Sequence, residues 1–332
     1  MPNKTRWAIV GSGFISNTMV TAIRSTGRSE IVAITGRDSG RVEAFRSAHD
    51  IALGTTDVTQ TVTSREIDAI YVATPNHAHH PVVIVAAGAG KAVVSEKSLT
   101  RDDTTARELA DAVRAGGAFF VEGLMYLSHP LYRTVFDLLG SGELGELRSV
   151  SGYYNADIQA VANPAGGGTI YNLGCYPASL LHLVVQTMCG DDVFADREVT
   201  AVGNRRNVEG FDNVVDTAIA VRFGNGVLAN LQSSDTHGMN HGFDLVTNLG
   251  TLRWAANPWL PIAGQNRLEW SDHDGNSREI VVADEHDAFH HQVRLVEDGL
   301  AGNATEAARP SPRLADSLEI MHLLCDWEAA IV

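Results

Sequence analysis

The chain has 332 residues, 44% hydrophobic and 20% charged, and a formal net charge of −15. That length exceeds what one hydrophobic core usually serves, so two domains are expected, and the acidic balance excludes nucleic acid, whose phosphates would be repelled. No apolar run approaches the ~20 residues that span a bilayer. With a strand read as starting at Thr5, no secretory leader is expected and the expected address is the cytoplasm.

Thr5–Val10 reads as a buried strand, followed by Gly11-Ser-Gly-Phe-Ile-Ser16 and a helix marked by Ile15, Met19, Ala22 and Ile23. Glu30–Thr35 is a second strand, and Arg41–Ala48 a polar helix. Asp68–Thr74, Ala92–Ser95 and Ala118–Val121 read as further strands, with helices over Pro81–Ala89 and Asp102–Ala115 between them. Steady strand–helix alternation means a parallel, doubly wound α/β sheet with right-handed crossovers. The rhythm changes after Glu122. From Leu147 to Ala283 longer strands linked by turns, such as Phe223–Gly226, surround one long helix near Gly174, which predicts an α+β domain with a mostly antiparallel sheet. Phe289, Val293, Val296 and Leu300 mark an amphipathic helix that Gly299 helps to end. A last helix is expected with Ser311 as N-cap, Pro312 in its first turn and a buried stripe of Leu314, Leu318, Met321 and Cys325. The expected domains are 1–122 and 123–311, with helix 312–331 returning to the first.

Gly11 and Gly13 follow a strand and open a helix, so the backbone can approach a pyrophosphate at the positive helix end. Ser12, Phe14 and Ile15 complete that turn, and Ser16 stands where a third glycine is usual, still small enough for close packing. The second strand ends in Thr35-Gly36-Arg37-Asp38. Gly36 places no carboxylate against a ribose 2′-phosphate and Arg37 offers a planar guanidinium to adenine and phosphate, so NADP is expected over NAD. Asp38, the apparent objection, is read as the N-cap of the next helix.

Several segments together resemble the glucose–fructose oxidoreductase/inositol dehydrogenase/MocA family. They are Ala73-Thr-Pro-Asn-His-Ala-His79, Ala89–Lys97, Glu122–Pro130, Gly142–Arg148 and Gly166–Pro177. The Met-Tyr-x-x-His-Pro and Gly-Cys-Tyr-Pro blocks point toward its branch of D-xylose dehydrogenases and dimeric dihydrodiol dehydrogenases. The resemblance implies a Rossmann domain, then a domain with a large open sheet used to form dimers or tetramers. It also implies that Thr74, Pro75, Asn76 and His79 line the cofactor, with Glu96 and Lys97 near the nicotinamide ribose. Two positions depart from the family pattern: Ser98 replaces the proline of Glu-Lys-Pro, and Asn172 stands where an aspartate is common.

Removing hydride from an alcohol requires that the hydroxyl proton leave as well. Tyr176 carries a phenol whose pKa, ~10 when unperturbed, is lowered by a nearby ammonium such as Lys97 could supply. Lys97 is expected to stabilise a developing alkoxide, and Asn172, one helical turn before Tyr176, to orient substrate through its amide. Scattered histidines, including His237 and His241, lack a metal-ligand spacing, and no metal is expected. Asp235 and His237 are set down as candidates to face the substrate from the sheet. The reading is an NADP-dependent dehydrogenase or reductase for the CH–OH or C=O group of a sugar, polyol or related carbonyl. Two alternatives stay open: a non-catalytic NADP-binding regulator of the same fold, and an enzyme cleaving glycosides through transient oxidation.

Overall fold

β1 (Thr5–Val10) buries its last four residues, Trp7 to Val10, which is what a strand covered on both faces requires. In the computed structural model, which describes residues 4–331, it is followed by α1 (Phe14–Ser25), β2 (Ser29–Thr35), α2 (Ser39–Ala48), β3 (Leu53–Thr55) and α3 (Val58–Thr63). Next come β4 (Ala69–Val72), α4 (His79–Gly88), β5 (Ala92–Ser95), α5 (Asp103–Gly116) and β6 (Phe120–Glu122). The six strands lie in the order β3-β2-β1-β4-β5-β6, and every adjacent pair is parallel. The strand order therefore reverses between β1 and β4, the switch point at which such sheets open a crevice beyond their carboxyl ends. Asp38, Asp57 and Asp102 cap α2, α3 and α5 by accepting from backbone N–H groups three residues on, each cap contributing about 1 kcal/mol. β3 and α3 are too short to leave a periodicity in the sequence.

The chain groups into two units. One runs through Ser128 and resumes over Ala288–Leu318, and the other comprises His129–Asp287 with the residues from Glu319 on. The second unit opens with α6 (Pro130–Gly140), entered through His129, whose ring accepts from Leu131 N, and through a proline in its first turn. Then follow β7 (Leu147–Ala156), α7 (Cys175–Cys189), β8 (Arg197–Val208), β9 (Phe211–Phe223), β10 (Leu228–Ser234), β11 (Met239–Thr247), β12 (Gly250–Trp254), β13 (Gly264–Asp272) and β14 (Ser277–Asp284). The eight strands take the order β14-β13-β12-β11-β7-β10-β9-β8. β7 and β10 pair in parallel, and the other adjacent pairs are antiparallel. Burial alternates from Val215 to Phe223 in β9 and from Leu228 to Ser233 in β10, which shows one face packed and one open. α7 is apolar on nearly every side and buried from Cys175 to Gln186, as a helix under a sheet must be.

The last two helices, α8 (Ala288–Ala301) and α9 (Leu314–Ala329), differ in detail from expectation. Gly299 lies inside α8 rather than ending it: a Cβ there would stand 2.5 Å from the Phe119 ring, so the glycine admits that ring. Ser311 does not cap α9 but meets Ser128 Oγ at 3.1 Å, and the first turn is held by Asp316 accepting from Arg313 N. The buried stripe of α9 is rotated, with Leu314, Ser317, Ile320, Met321, Leu324 and Trp327 enclosed while Leu318 and Cys325 are half-buried. Trp327 sets that rotation in the second unit. Its indole donates to Thr217 Oγ1 at 2.9 Å, and its ring fills the space beside Gly174. Among the described residues no helix is long and apolar enough to cross a membrane.

Candidate active site

The turn after β1 is built by one backbone requirement. Gly11 adopts φ +108, and a Cβ there would lie 2.7 Å from Ala73 O. Only glycine allows β1 and β4 to leave the sheet at that spacing. Gly11 N donates to Thr35 O at 2.8 Å and Ser16 Oγ donates to Gly11 O at 2.7 Å, so Ser16 locks the turn it was expected merely to accommodate. Gly13 precedes α1 with no side-chain cap and with open space around it. The first N–H groups of a 12-residue helix therefore face an uncluttered approach, as an anion site needs. These features fit a dinucleotide pyrophosphate.

At the end of β2, Gly36 and exposed Arg37 come first, while Asp38 turns away to accept from Arg41 N at 2.9 Å. His77 reports a positive neighbourhood: burial lowers its pKa, and the Arg37 and Arg101 guanidinium groups lower it further. Arg101 escaped the sequence reading because it belongs to a loop with no motif of its own.

The loop after β4 is fastened from below. His79 is fully buried, with Nε2 2.8 Å from Thr74 O and Nδ1 3.1 and 3.2 Å from Ser98 O and Leu99 O. Burial pushes its pKa down to about 4, so the ring is neutral. Asn76, 7% exposed, accepts from His77 N through Oδ1, and Thr74 Oγ1 is buried without a protein partner. Pro75 begins the short turn Asn76–Ala78 that leads into α4. Beside this loop, Glu96 and Lys97 follow β5. Glu96 Oε1 accepts from Tyr71 Oη at 2.5 Å, and burial raises its pKa against the opposing pull of Lys97. Glu122 closes the group from β6. It is 2% exposed, burial pushes its pKa up to about 7, the Ser317 side chain and the Leu99 backbone oppose that rise, and Glu96 adds to it. Gly123 lets the strands meet here, since a Cβ would stand 3.0 Å from Glu96 Cα. Sequence reading missed Glu122 because an acidic residue at a strand end looks solvated until the sheet buries it.

In the second unit Asn172 lies within a π-helical turn, Ile170–Gly174, that leads directly into α7 and Tyr176. The wider turn means that Asn172 and Tyr176 do not stack as two positions of one regular α-helical face, as the four-residue spacing had suggested. Tyr176 is 8% exposed and packs edge-on to Tyr154 at 5.4 Å, with Trp259 at 6.2 Å. Asn172 faces Asp235, a carboxyl only 3% exposed. Burial pushes the pKa of Asp235 up to about 6, Asn172 opposes that rise, and Asp216 adds to it. His237 is more exposed and bonds Ser234 Oγ at 2.9 Å, away from the Asp235 carboxyl.

Residues 5–123 match the model of the oxidoreductase family with an NAD-binding Rossmann fold, and residues 132–253 match the GFO/IDH/MocA C-terminal domain. The chain is 30% identical over 263 residues to dTDP-3,4-didehydro-2,6-dideoxy-alpha-D-glucose 3-reductase of Streptomyces antibioticus, covering 76% of each protein. It is 26% identical over 290 residues to trans-1,2-dihydrobenzene-1,2-diol dehydrogenase of Bos taurus, covering 86% of this chain and 79% of that one. The structure of a 3-ketoreductase from Actinomadura kijaniata in complex with TDP-benzene and NADP is similar with a TM-score of 0.82 at 25% identity, over 99% of this chain and 98% of that one.

Glu122 makes a stability prediction. Its folded pKa of about 7 lies above the ordinary carboxyl value of 4.5, so the cost of charging it is absent near pH 4, grows as pH rises, and is complete above pH 7. Glu122→Gln should therefore gain stability over the wild type by about 2–3 kcal/mol between pH 5 and pH 8.5. Urea denaturation at the two pH values measures it, and a pH-independent difference would place the charge elsewhere.

Proposed function

The chain belongs to the GFO/IDH/MocA oxidoreductase family, and from that premise we propose that it transfers a hydride between NADP(H) and a CH–OH or C=O group of a sugar, a polyol or a related carbonyl compound. The observation that carries the cofactor preference is the end of β2. Gly36 presents no carboxylate, Arg37 is exposed, and the one acid nearby, Asp38, is occupied as a helix cap. That arrangement suits a 2′-phosphate and offers a bare ribose 2′-hydroxyl no carboxylate partner. The sugar side of the reading is supported by the relatives, one of which is a reductase of a nucleotide-linked deoxysugar and another a diol dehydrogenase.

Gly11, Ser12, Gly13, Phe14 and Ile15 would hold the pyrophosphate through the helix N-terminus, and Arg37 the adenosine end. Thr74, Pro75 and Asn76 would line the next stretch, shaped by His79 from beneath, with Glu96 and Lys97 at the nicotinamide end. When bound, the nicotinamide supplies or accepts the hydride. Lys97 contributes a fixed positive charge for the alkoxide-like oxygen of the substrate. Tyr176 holds or releases the hydroxyl proton at Oη, and Asn172 orients substrate by amide hydrogen bonds. Tyr71 and Glu96 form a short hydrogen bond next to Lys97 that keeps the start of this loop in place.

The open face of the large sheet supports self-association. Ser151, Thr200, Val202, Ala218, Ala220, Asn230 and Gln232 point to it, small and uncharged, while Glu198 and Arg222 pair at its margin. An uncharged centre with a charged rim suits burial against a second copy.

Three outcomes are expected. NADP⁺ should bind at least ten-fold tighter than NAD⁺ by calorimetry, and Gly36→Asp with Arg37→Ala should erase the difference; equal affinities in the wild type would defeat the NADP reading. Lys97→Met and Tyr176→Phe should each cut turnover by ~10²-fold or more, while Tyr176→Phe leaves NADP⁺ affinity within a factor of about two or three. Turnover that survives Tyr176→Phe would remove the phenol from proton transfer. Light scattering at micromolar concentration should give a dimer or tetramer, and Ala218→Arg should shift it toward monomer; a monomeric wild type would refute the assembly.

A further inference from the structure

Beneath the loop that joins β7 to α7, the second unit contains a small polar cavity lined by Gln159, Asn163, Asn172, Asn213 and Asp235. The loop is held there by backbone bonds. Ile158 N and Gln159 N both donate to Asp235 O, at 3.0 and 2.9 Å, and Asp157 N donates to Gly238 O at 3.2 Å. On the far side Asn213 Nδ2 donates to Pro164 O at 2.8 Å, and Gly168, where a Cβ would stand 2.1 Å from Val214 O, seals the loop against β9. Gln159 and Asp235 are thus brought to the same cavity by bonds independent of their side chains.

At this cavity Gln159 Nε2, a donor, and Asp235 Oδ1, an acceptor, are buried with an open valence, while the Asn172 side chain also bonds the Asp235 carboxyl. Leaving a buried polar group unsatisfied costs about 1–3 kcal/mol, more for a charged one, so such atoms are met by ordered water or by a ligand. The types of the two atoms discriminate among ligands. A phosphate or carboxylate would need donors only, and the Asp235 carboxyl would repel it. An ammonium would use Asp235 and leave the Gln159 N–H unanswered. A hydroxyl accepts from one neighbour and donates to the other, so it completes both.

We propose that Gln159 and Asp235 form a hydroxyl-binding subsite, with Gln159 Nε2 donating to, and Asp235 Oδ1 accepting from, one hydroxyl of a polyhydroxylated substrate. Asn172 stands beside the pair, so the same ligand comes within reach of the residue proposed to orient substrate. The raised pKa of Asp235 agrees with this, because a carboxyl poised near 6 and shielded by burial gives a strong acceptor that a ligand hydroxyl rewards. The charged groups that bear on it are Asp216, which raises that value, and Arg206, which lowers it. The substrate class rests on the oxidoreductase reading, but the binding site does not, and the two can be tested apart.

Calorimetry on the full chain with NADP⁺, using D-xylose, D-glucose and myo-inositol as probes, reads binding without requiring turnover. The best-bound probe should lose about ten-fold or more in affinity with Asp235→Asn and with Gln159→Leu. Its deoxy analogue lacking the contacted hydroxyl should bind wild type equally weakly, and the two substitutions should cost that analogue no more. Asp235→Asn should melt at the same or higher temperature at pH 8, since it removes a buried charge with an open valence, whereas a purely structural carboxyl would lower it. If a probe turns over, KM should rise while kcat falls less. The inference is overturned if no probe binds, if affinity is unmoved by either substitution (the cavity then holding only water), or if Asp235→Asn lowers the melting temperature without changing affinity. Loss of binding in the variants with no turnover of any probe would sustain the subsite and count against the hydride-transfer reading.

Discussion

The first unit depends on how closely β1 and β4 leave their sheet. At Gly11 the backbone passes so near Ala73 O that no side chain fits, and φ is positive. Everything downstream follows from that approach. It aims α1 at the switch point with its N–H groups uncapped, it allows Ser16 to close the turn by bonding Gly11 O, and it brings the loop beginning at Ala73 alongside. A larger residue would cost more than local strain. It would separate the two strands whose carboxyl ends make the crevice.

Around that crevice the unit spends stability on buried polar groups. His79 lies between the carbonyls of Thr74, Ser98 and Leu99, and because burial keeps the ring neutral a single N–H serves one side of it, joining the loop after β4 to the segment after Lys97. Glu96, just after β5, and Glu122, at the end of β6, are both enclosed carboxyls, and Glu96 adds to the cost of charging Glu122. A core built for stability alone would place apolar residues there. Lys97 opposes the cost of charging at both carboxyls, so the three groups form one electrostatically coupled cluster.

The second unit solves a different problem. A broad sheet with one open face carries the loop between β7 and α7, and bonds to Asp235 O, Pro164 O and Val214 hold that loop down. The π-helical turn then hands Asn172 and Tyr176 to α7 with altered spacing. Tyr176 is steadied by Tyr154 and Trp259, so its phenol sits on a rigid aromatic floor rather than on a mobile loop.

The sequence by itself determined the alternating first domain, the glycine turn, the Gly36–Arg37 strand end and the role of Asp38 as a cap, because each depends on residues close along the chain and on backbone rules that act locally. It also carried the family resemblance, through blocks whose order and spacing are local properties. Short β3 and α3 left no periodicity, and α6 was masked by a segment read for its motif. The rotated stripe of α9 was decided by where Trp327 found room beside Gly174, and Gly299 by the Phe119 ring, both contacts between residues far apart in sequence. Only tertiary structure could enclose Glu122, place Arg101 near His77, widen the turn at Asn172, and set Gln159 against Asp235. Burial and unsatisfied valence are properties of the surroundings of a side chain, and those surroundings are assembled from segments whose distance apart along the chain says nothing of their meeting.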